Sequence, residues 1–155
     1  MVRLVVLGAA LAALLGCNTA FRDMSEPYVG TWMITSGTDT AQCLSGTTTS
    51  PVSGNVIVSF GAGVLQLSVR DTNHGTCVWT LNVHHQNATF RDGPSCAVTV
   101  PQGVAMVTPV DYTMTLPANN KAMVTSDFDW TILGDTCRHL QQETLLLMNL
   151  QPNLQ

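Results

Sequence analysis

The chain has 155 residues, with six basic and ten acidic side chains and a formal charge of −4, and charged residues make up only 10% of it. Nucleic-acid binding is excluded by that balance, because phosphates require clustered Lys and Arg and Lys121 is the single lysine. The same scarcity leaves no polybasic patch for anionic lipid, and the abundance of Thr, Ser, Asn and Gln points to a neutral-polar surface.

The first feature in chain order is Arg3 followed by an apolar run over residues 4–15, which has the layout of a secretory signal helix. Twelve residues fall short of the ~20 needed to cross the hydrocarbon core. The run ends at Leu14-Leu15-Gly16-Cys17. This motif resembles the lipobox of bacterial lipoprotein precursors. The resemblance implies cleavage before Cys17, diacylation of its thiol, acylation of the new amino terminus, and a place in the cell envelope. Asn18 stands where that family uses Asp for inner-membrane retention, which implies the outer membrane. Residues 1–16 are then signal peptide, 17–27 anchor and tether, and 28–151 a single β-domain. Cleavage removes Arg3, leaving five basic against ten acidic groups in 139 residues, enough chain to bury a core.

Five cysteines are an odd set for a secreted chain. With Cys17 given to lipid, Cys43, Cys77, Cys96 and Cys137 remain, and an oxidising compartment makes two disulfides of them. No Cys-x-x-Cys pair is present, against zinc-ribbon and redox readings.

Residues 28–35 are β-rich and read as the first strand, and 36–54 read as a long Ser/Thr/Gly-rich loop. Val56, Val58 and Phe60 share a face; Leu65, Leu67 and Val69 alternate with Gln66, Ser68 and Arg70. The turn Asp71-Thr72-Asn73-His74-Gly75 leads to Cys77, Trp79, Leu81 and Val83, the clearest alternation in the chain. A two-residue turn at Gln86-Asn87 would set Cys77 opposite Cys96, close enough for a bridge, although Asp92-Gly93-Pro94 should break the ladder first. This favours Cys77–Cys96 with Cys43–Cys137 over the two other pairings.

Residues 97–100 read as a short strand and 101–109 as a loop. Val110, Tyr112, Met114 and Leu116 then alternate with polar residues, and Ala122, Val124, Phe128, Trp130 and Ile132 form the inward set of another strand. The last segment fits a strand through Leu140, Leu146, Met148 and Leu150, or a helix through Leu140, Leu147 and Leu150; its all-β context favours strand. The count is about eight strands, so the fold class is all-β, an antiparallel barrel or a β-sandwich.

Gly30-Thr31-Trp32 resembles the G-x-W motif that opens lipocalins and their calycin relatives. Ser126-Asp127-Phe128 is similar to a degenerate T-D-Y motif, and Arg138 could stand for the family's late arginine. The resemblance implies a barrel whose base is closed by Trp32 with Arg138 packed over it.

Chemistry is thinly represented. His84 and His85 are adjacent, so on a strand they face opposite ways; with His74 in a turn and His139 after Cys137, all four read as scattered surface histidines rather than a metal site. Asp127 and Asp129 share an outward strand face and read as solvated. There is no G-x-S-x-G, and oxidised cysteines are no nucleophiles. The expectation is a non-enzymatic, monomeric protein without a cofactor. It binds a small apolar or amphipathic ligand through Trp79, Tyr112, Met114, Phe128 and Trp130, or alternatively is an envelope module contacting protein or polysaccharide.

Overall fold

A computed structural model describes residues 24–149; the lipobox-like stretch and Leu150 lie outside them. Ten strands follow a short 3-10 turn at Glu26–Tyr28: β1 (Gly30–Cys43), β2 (Gly46–Pro51), β3 (Asn55–Phe60), β4 (Gln66–Asp71), β5 (Trp79–His84), β6 (Asn87–Asp92), β7 (Cys96–Val100), β8 (Gly103–Ala118), β9 (Lys121–Ile132) and β10 (Asp135–Asn149). All pairings are antiparallel, in the order β10-β9-β8-β6-β5-β4-β3-β1, and β1 closes the ring on β10. Eight strands therefore form a closed up-and-down barrel, not a sandwich. The two extra strands, β2 and β7, pair only with the extended ends of β1 and β8.

Closure follows from long period-two strands that bury one face each. Trp32, Val56, Val58, Leu67, Val69, Leu81, Val83, Met114, Val124 and Leu145 are buried inside, and at ~1.5–3 kcal/mol per large apolar side chain this filling drives the fold. Trp32 stands where the G-x-W resemblance places it, in the core at the end where the chain enters, and its Nε1–H donates to the Tyr28 carbonyl at 2.8 Å. Arg138 does not pack over it. Trp32 pairs with Leu147, while Arg138 pairs with Gln42 at the other end of the same ladder, nine residues and so roughly 30 Å away. Arg138 instead lies on the outer surface, donating from Nε to both Asp127 carboxylate oxygens at 2.9 and 3.0 Å.

Both disulfides join the expected partners, Cys43 with Cys137 and Cys77 with Cys96. The first follows from register: Gln42 pairs with Arg138, so Cys43 falls opposite Cys137, with Cα atoms 4.3 Å apart. It staples the β1–β10 seam. For the second, the β5–β6 turn is His85-Gln86, since His84 pairs with Asn87, not Gln86-Asn87. A register shift at Thr80/Leu81 then brings the ladder to Thr80 opposite Asp92, where it ends. Beyond it Gly93 crosses Trp79 so closely that a Cβ would lie 2.7 Å from the Trp79 Cβ. That close passage brings Cys96 to Cys77.

Three other expectations are corrected. Residues 36–54 are not a loop: β1 continues to Cys43 and turns at Leu44-Ser45 into β2, with Thr40 and Thr49 hydroxyls 3.3 Å apart across the pair. Threonine is a strand former, and that preference outweighs the Ser/Gly content. Residues 101–109 are likewise mostly strand, β8 starting at Gly103 and carrying Pro109 at a register irregularity, where a missing N–H does no harm. The last segment is a strand, as expected, with its faces exchanged. Gln141, Glu143 and Leu145 point inward, while Leu140, Leu146 and Met148 are 37–54% exposed.

Candidate functional site

A bulge in β1 creates the site. Trp32 and Ile34 face inward, the register slips between Ile34 and Ser36, and thereafter Gly37 and Asp39 take the inward positions. Opposite them on β10 stand Glu143, paired with Gly37, and Gln141, paired with Asp39. From β9, Ser126 pairs with Gln141 and its hydroxyl donates to Gln141 Oε1 at 3.4 Å. The half of the barrel away from the chain's entry thus carries these polar groups among its aromatic and apolar residues, whereas the entry half is apolar.

The connection from β4 to β5 adds to it. Asp71 caps the 3-10 turn Thr72–His74, its Oδ1 accepting from the Asn73 amide at 2.8 Å. Gly75 at φ 64° turns the chain back, and His74 is carried inside, with no exposed surface. Its ring sits 4.2 Å from Phe128, 5.5 Å from Trp79 and 5.6 Å from Trp130, centroid to centroid, with Nδ1 3.5 Å from Asp71 Oδ2. His74 is therefore not a surface histidine, because the turn that holds it folds over the barrel end. His139 is also drawn in: its Nδ1 lies 2.8 Å from Asp39 Oδ2, and its ring is 5.1 Å from Trp130. His84 and His85 are exposed.

Asp39 and His139, with Gln141 and Trp130, border an open cup of about 220 Å³, lined also by Ser50, Pro51, Val52, Ser53 and Asn73. That is the room of roughly seven waters at ~30 Å³ each, small beside the ~300 Å³ at which drug-sized sites begin. Of the five expected ligand-binding residues, Trp130 lines this cup. Trp79, Tyr112, Met114 and Phe128 stand in the packed interior, each at most 2% exposed.

Behind the cup the interior is electrically unusual. Asp71 and Glu143 are 0% and 4% exposed. No protein group hydrogen-bonds Asp39 Oδ1, Asp71 Oδ2, either Glu143 oxygen, either His74 nitrogen, the Tyr112 hydroxyl, or the Trp79 and Trp130 Nε1. Buried polar atoms are nearly always partnered, so this concentration sets the cup apart from the rest of the core. Burial, then the charges of Asp71 and Asp39, pushes the Glu143 carboxyl up to about 8, so it holds its proton at neutral pH. Burial first, then Asp71 and Glu143, pushes the Tyr112 hydroxyl well above its ordinary value. Arg70, Arg91, Lys121 and Arg138, the basic side chains among the described residues, are all exposed. Also among the described residues, no three His, Cys, Asp or Glu side chains meet as metal ligands do.

Sequence reasoning missed Asp39, Asp71, His74, Gln141 and Glu143. The available signal was the spacing of Gln141, Glu143, Leu145 and Leu147, an alternation that mixes polar and apolar residues on one face.

No protein-family model matches the chain, and no curated protein is similar to it in sequence. Among solved structures it is similar to the S-type phycobiliprotein lyase from Guillardia theta, at 10% identity over 84% of this chain and 93% of that one, with a TM-score of 0.41. A likeness at that level says nothing of ligand or activity.

Proposed function

We propose that this protein is a membrane-anchored bacterial lipoprotein whose barrel holds a small amphipathic ligand and performs no chemistry on it. The observation that carries the reading is the cup itself, with the Trp130 ring on one wall and the hydrogen-bonding groups of Asp39, Asn73, His139 and Gln141 around it. One aromatic wall facing polar side chains suits an amphipathic molecule, although the cup is more polar than most small-molecule sites. The anchor rests on Leu14-Leu15-Gly16-Cys17, and with it the cell envelope as location, the outer membrane by the identity of Asn18. The domain works as a monomer and makes no use of nucleic acid.

Native mass spectrometry of the protein extracted from its own membranes tests the carrier reading. A small molecule should come with the wild type and be lost from Trp130→Ala; repeated recovery of both proteins ligand-free would overturn it. A Cys17→Ser precursor should keep its fold and leave the membrane fraction, and continued sedimentation with membranes would sink the lipoprotein assignment.

A second reading, an envelope module that contacts protein or polysaccharide, is favoured by the β1–β2 hairpin. All six residues of β2 are exposed, and Leu44 at its tip is 94% exposed. Crosslinking from position 44 in intact cells separates the two: a discrete adduct supports the contact module, and none supports the carrier.

A further inference from the structure

Acidic groups gather behind the cup with His74 and His139 beside them and no lysine or arginine among them. Glu143 is the centre of the arrangement. It is 4% exposed, and no protein donor reaches either of its oxygens. It stands behind the cup wall, across Gly37 from Val52 and close enough to Asp39 to be influenced by its charge. A Cβ on Gly37 would stand 3.2 Å from Glu143 Cγ and 3.4 Å from the Cβ of Val52, and Val52 is part of the cup wall. Asp71 Oδ2 and Asp39 Oδ1 also lack donors. Beside these acceptors is the Trp130 ring, a surface that attracts cations through its π face.

Three classes of occupant can be compared on charge. An anion would meet three carboxyl groups in a low-dielectric interior, which is strongly unfavourable. A neutral molecule would leave most of the acceptors unpartnered, which costs free energy at each one. An ammonium group brings three donors and the missing positive charge together. Resting on the reading that the cup is a ligand site, we propose that its ligand is a small organic cation, a protonated amine whose N–H groups face Asp39, with Glu143 behind it, while its apolar part lies on Trp130.

The surroundings of Glu143 add a second signature. Asp39 from β1, Asp71 from β4, Tyr112 from β8, and His74 and His139 near the cup are the titratable groups around it, and none is a permanent cation. Without ligand, burial and the neighbouring acids keep Glu143 protonated up to about pH 8. An ammonium group favours the carboxylate, so the proton leaves as the amine enters. Affinity therefore rises with pH, by up to about tenfold per unit below 8.

The test is titration calorimetry of the purified protein with three probes of one shape: 2-phenylethylamine, 2-phenylethanol and 3-phenylpropanoate. The expected result is that the amine binds at least tenfold more tightly than the alcohol and the carboxylate does not bind. Amine binding should release a proton, seen as an enthalpy that depends on the buffer, and should tighten between pH 6.5 and 7.5. Glu143→Gln should lose the proton release and the pH dependence. Asp39→Asn, a same-shape change at a partly buried position on the cup wall, is the second variant and should weaken the amine without weakening the alcohol. If the alcohol binds as tightly as the amine, the cation inference falls while the ligand site stands. If no probe binds, the cation inference also falls, and the carrier reading is then decided separately by the molecule recovered from the native membrane.

Discussion

Replacing Glu143 by glutamine should make the barrel more stable at neutral pH. The carboxyl titrates at 4.5 in its ordinary state and at about 8 inside the barrel. Between those values the folded protein holds a proton that the unfolded chain has released. The folded state thus binds more protons, and stability falls as pH rises, by about 1.4 kcal/mol per pH unit. The stability contributed by this group is complete below about pH 4.5 and lost by about pH 8, on the order of 4–5 kcal/mol in all. At pH 7 the cost is already about 3 kcal/mol. Glutamine has nearly the same shape and does not ionise, so Glu143→Gln removes that pH term without opening a cavity. Chemical denaturation followed by tryptophan fluorescence at pH 5, 6, 7 and 8 measures it directly. The curves of the two proteins should nearly meet at pH 5 and diverge steadily towards pH 8, with the variant higher. Parallel curves across that range would refute the placement of an unpartnered carboxyl inside the barrel.

Other consequences follow from the backbone and the staples. Serine at both Cys43 and Cys137 should cost about 4–5 kcal/mol on the loop-closure account, since the bridge spans a separation of 94 residues; unchanged unfolding midpoints would show that the seam holds without it. Gly93→Ala should cost roughly 1–3 kcal/mol through overpacking, because the added Cβ would fall 2.7 Å from that of Trp79, and an unaltered denaturation curve would contradict that close passage. Leu133→Asn should raise stability by up to about 1 kcal/mol, as Leu133 is 91% exposed and sits at φ 52°, a conformation costly for leucine and tolerated by asparagine. Equal or lower stability of this variant would argue against the left-handed turn between β9 and β10.

How far the sequence revealed the molecule depended on whether a strand had one face of one kind. Cys77, Trp79, Leu81 and Val83 alternate without exception and are all buried, so that strand was legible. The disulfides were legible by arithmetic, although the hairpin register that paired Cys77 with Cys96 does not hold: the turn lies one residue earlier and the ladder ends at Thr80 opposite Asp92. The polar half of the barrel was not. In β10 the outward face carries Leu140, Leu146 and Met148 and the inward face Gln141 and Glu143, so the hydrophobic rule selected the wrong side. A barrel that lodges polar groups inside inverts the pattern from which its faces are inferred. In β1 the slip between Ile34 and Ser36 exchanges faces partway, and no residue in that stretch announces a bulge. His74 belongs to a five-residue turn whose composition indicates exposure; only the path of the chain over the barrel end places it among three aromatic rings.

The opposition between the two ends of the barrel has a consequence for how the molecule is displayed. The chain enters β1 at the apolar end, beside Tyr28 and Trp32, and β1 then runs fourteen residues to Cys43 at the polar end, a rise of about 45 Å. A tether attached before β1 would therefore pull on the apolar end, and the cup opens at the opposite pole. A domain hung this way from a lipid surface points its opening into the aqueous space. If the chain is anchored through Cys17 as proposed, solutes would reach the cup without touching the bilayer, and the acyl chains would be held at the opposite end of the barrel from it.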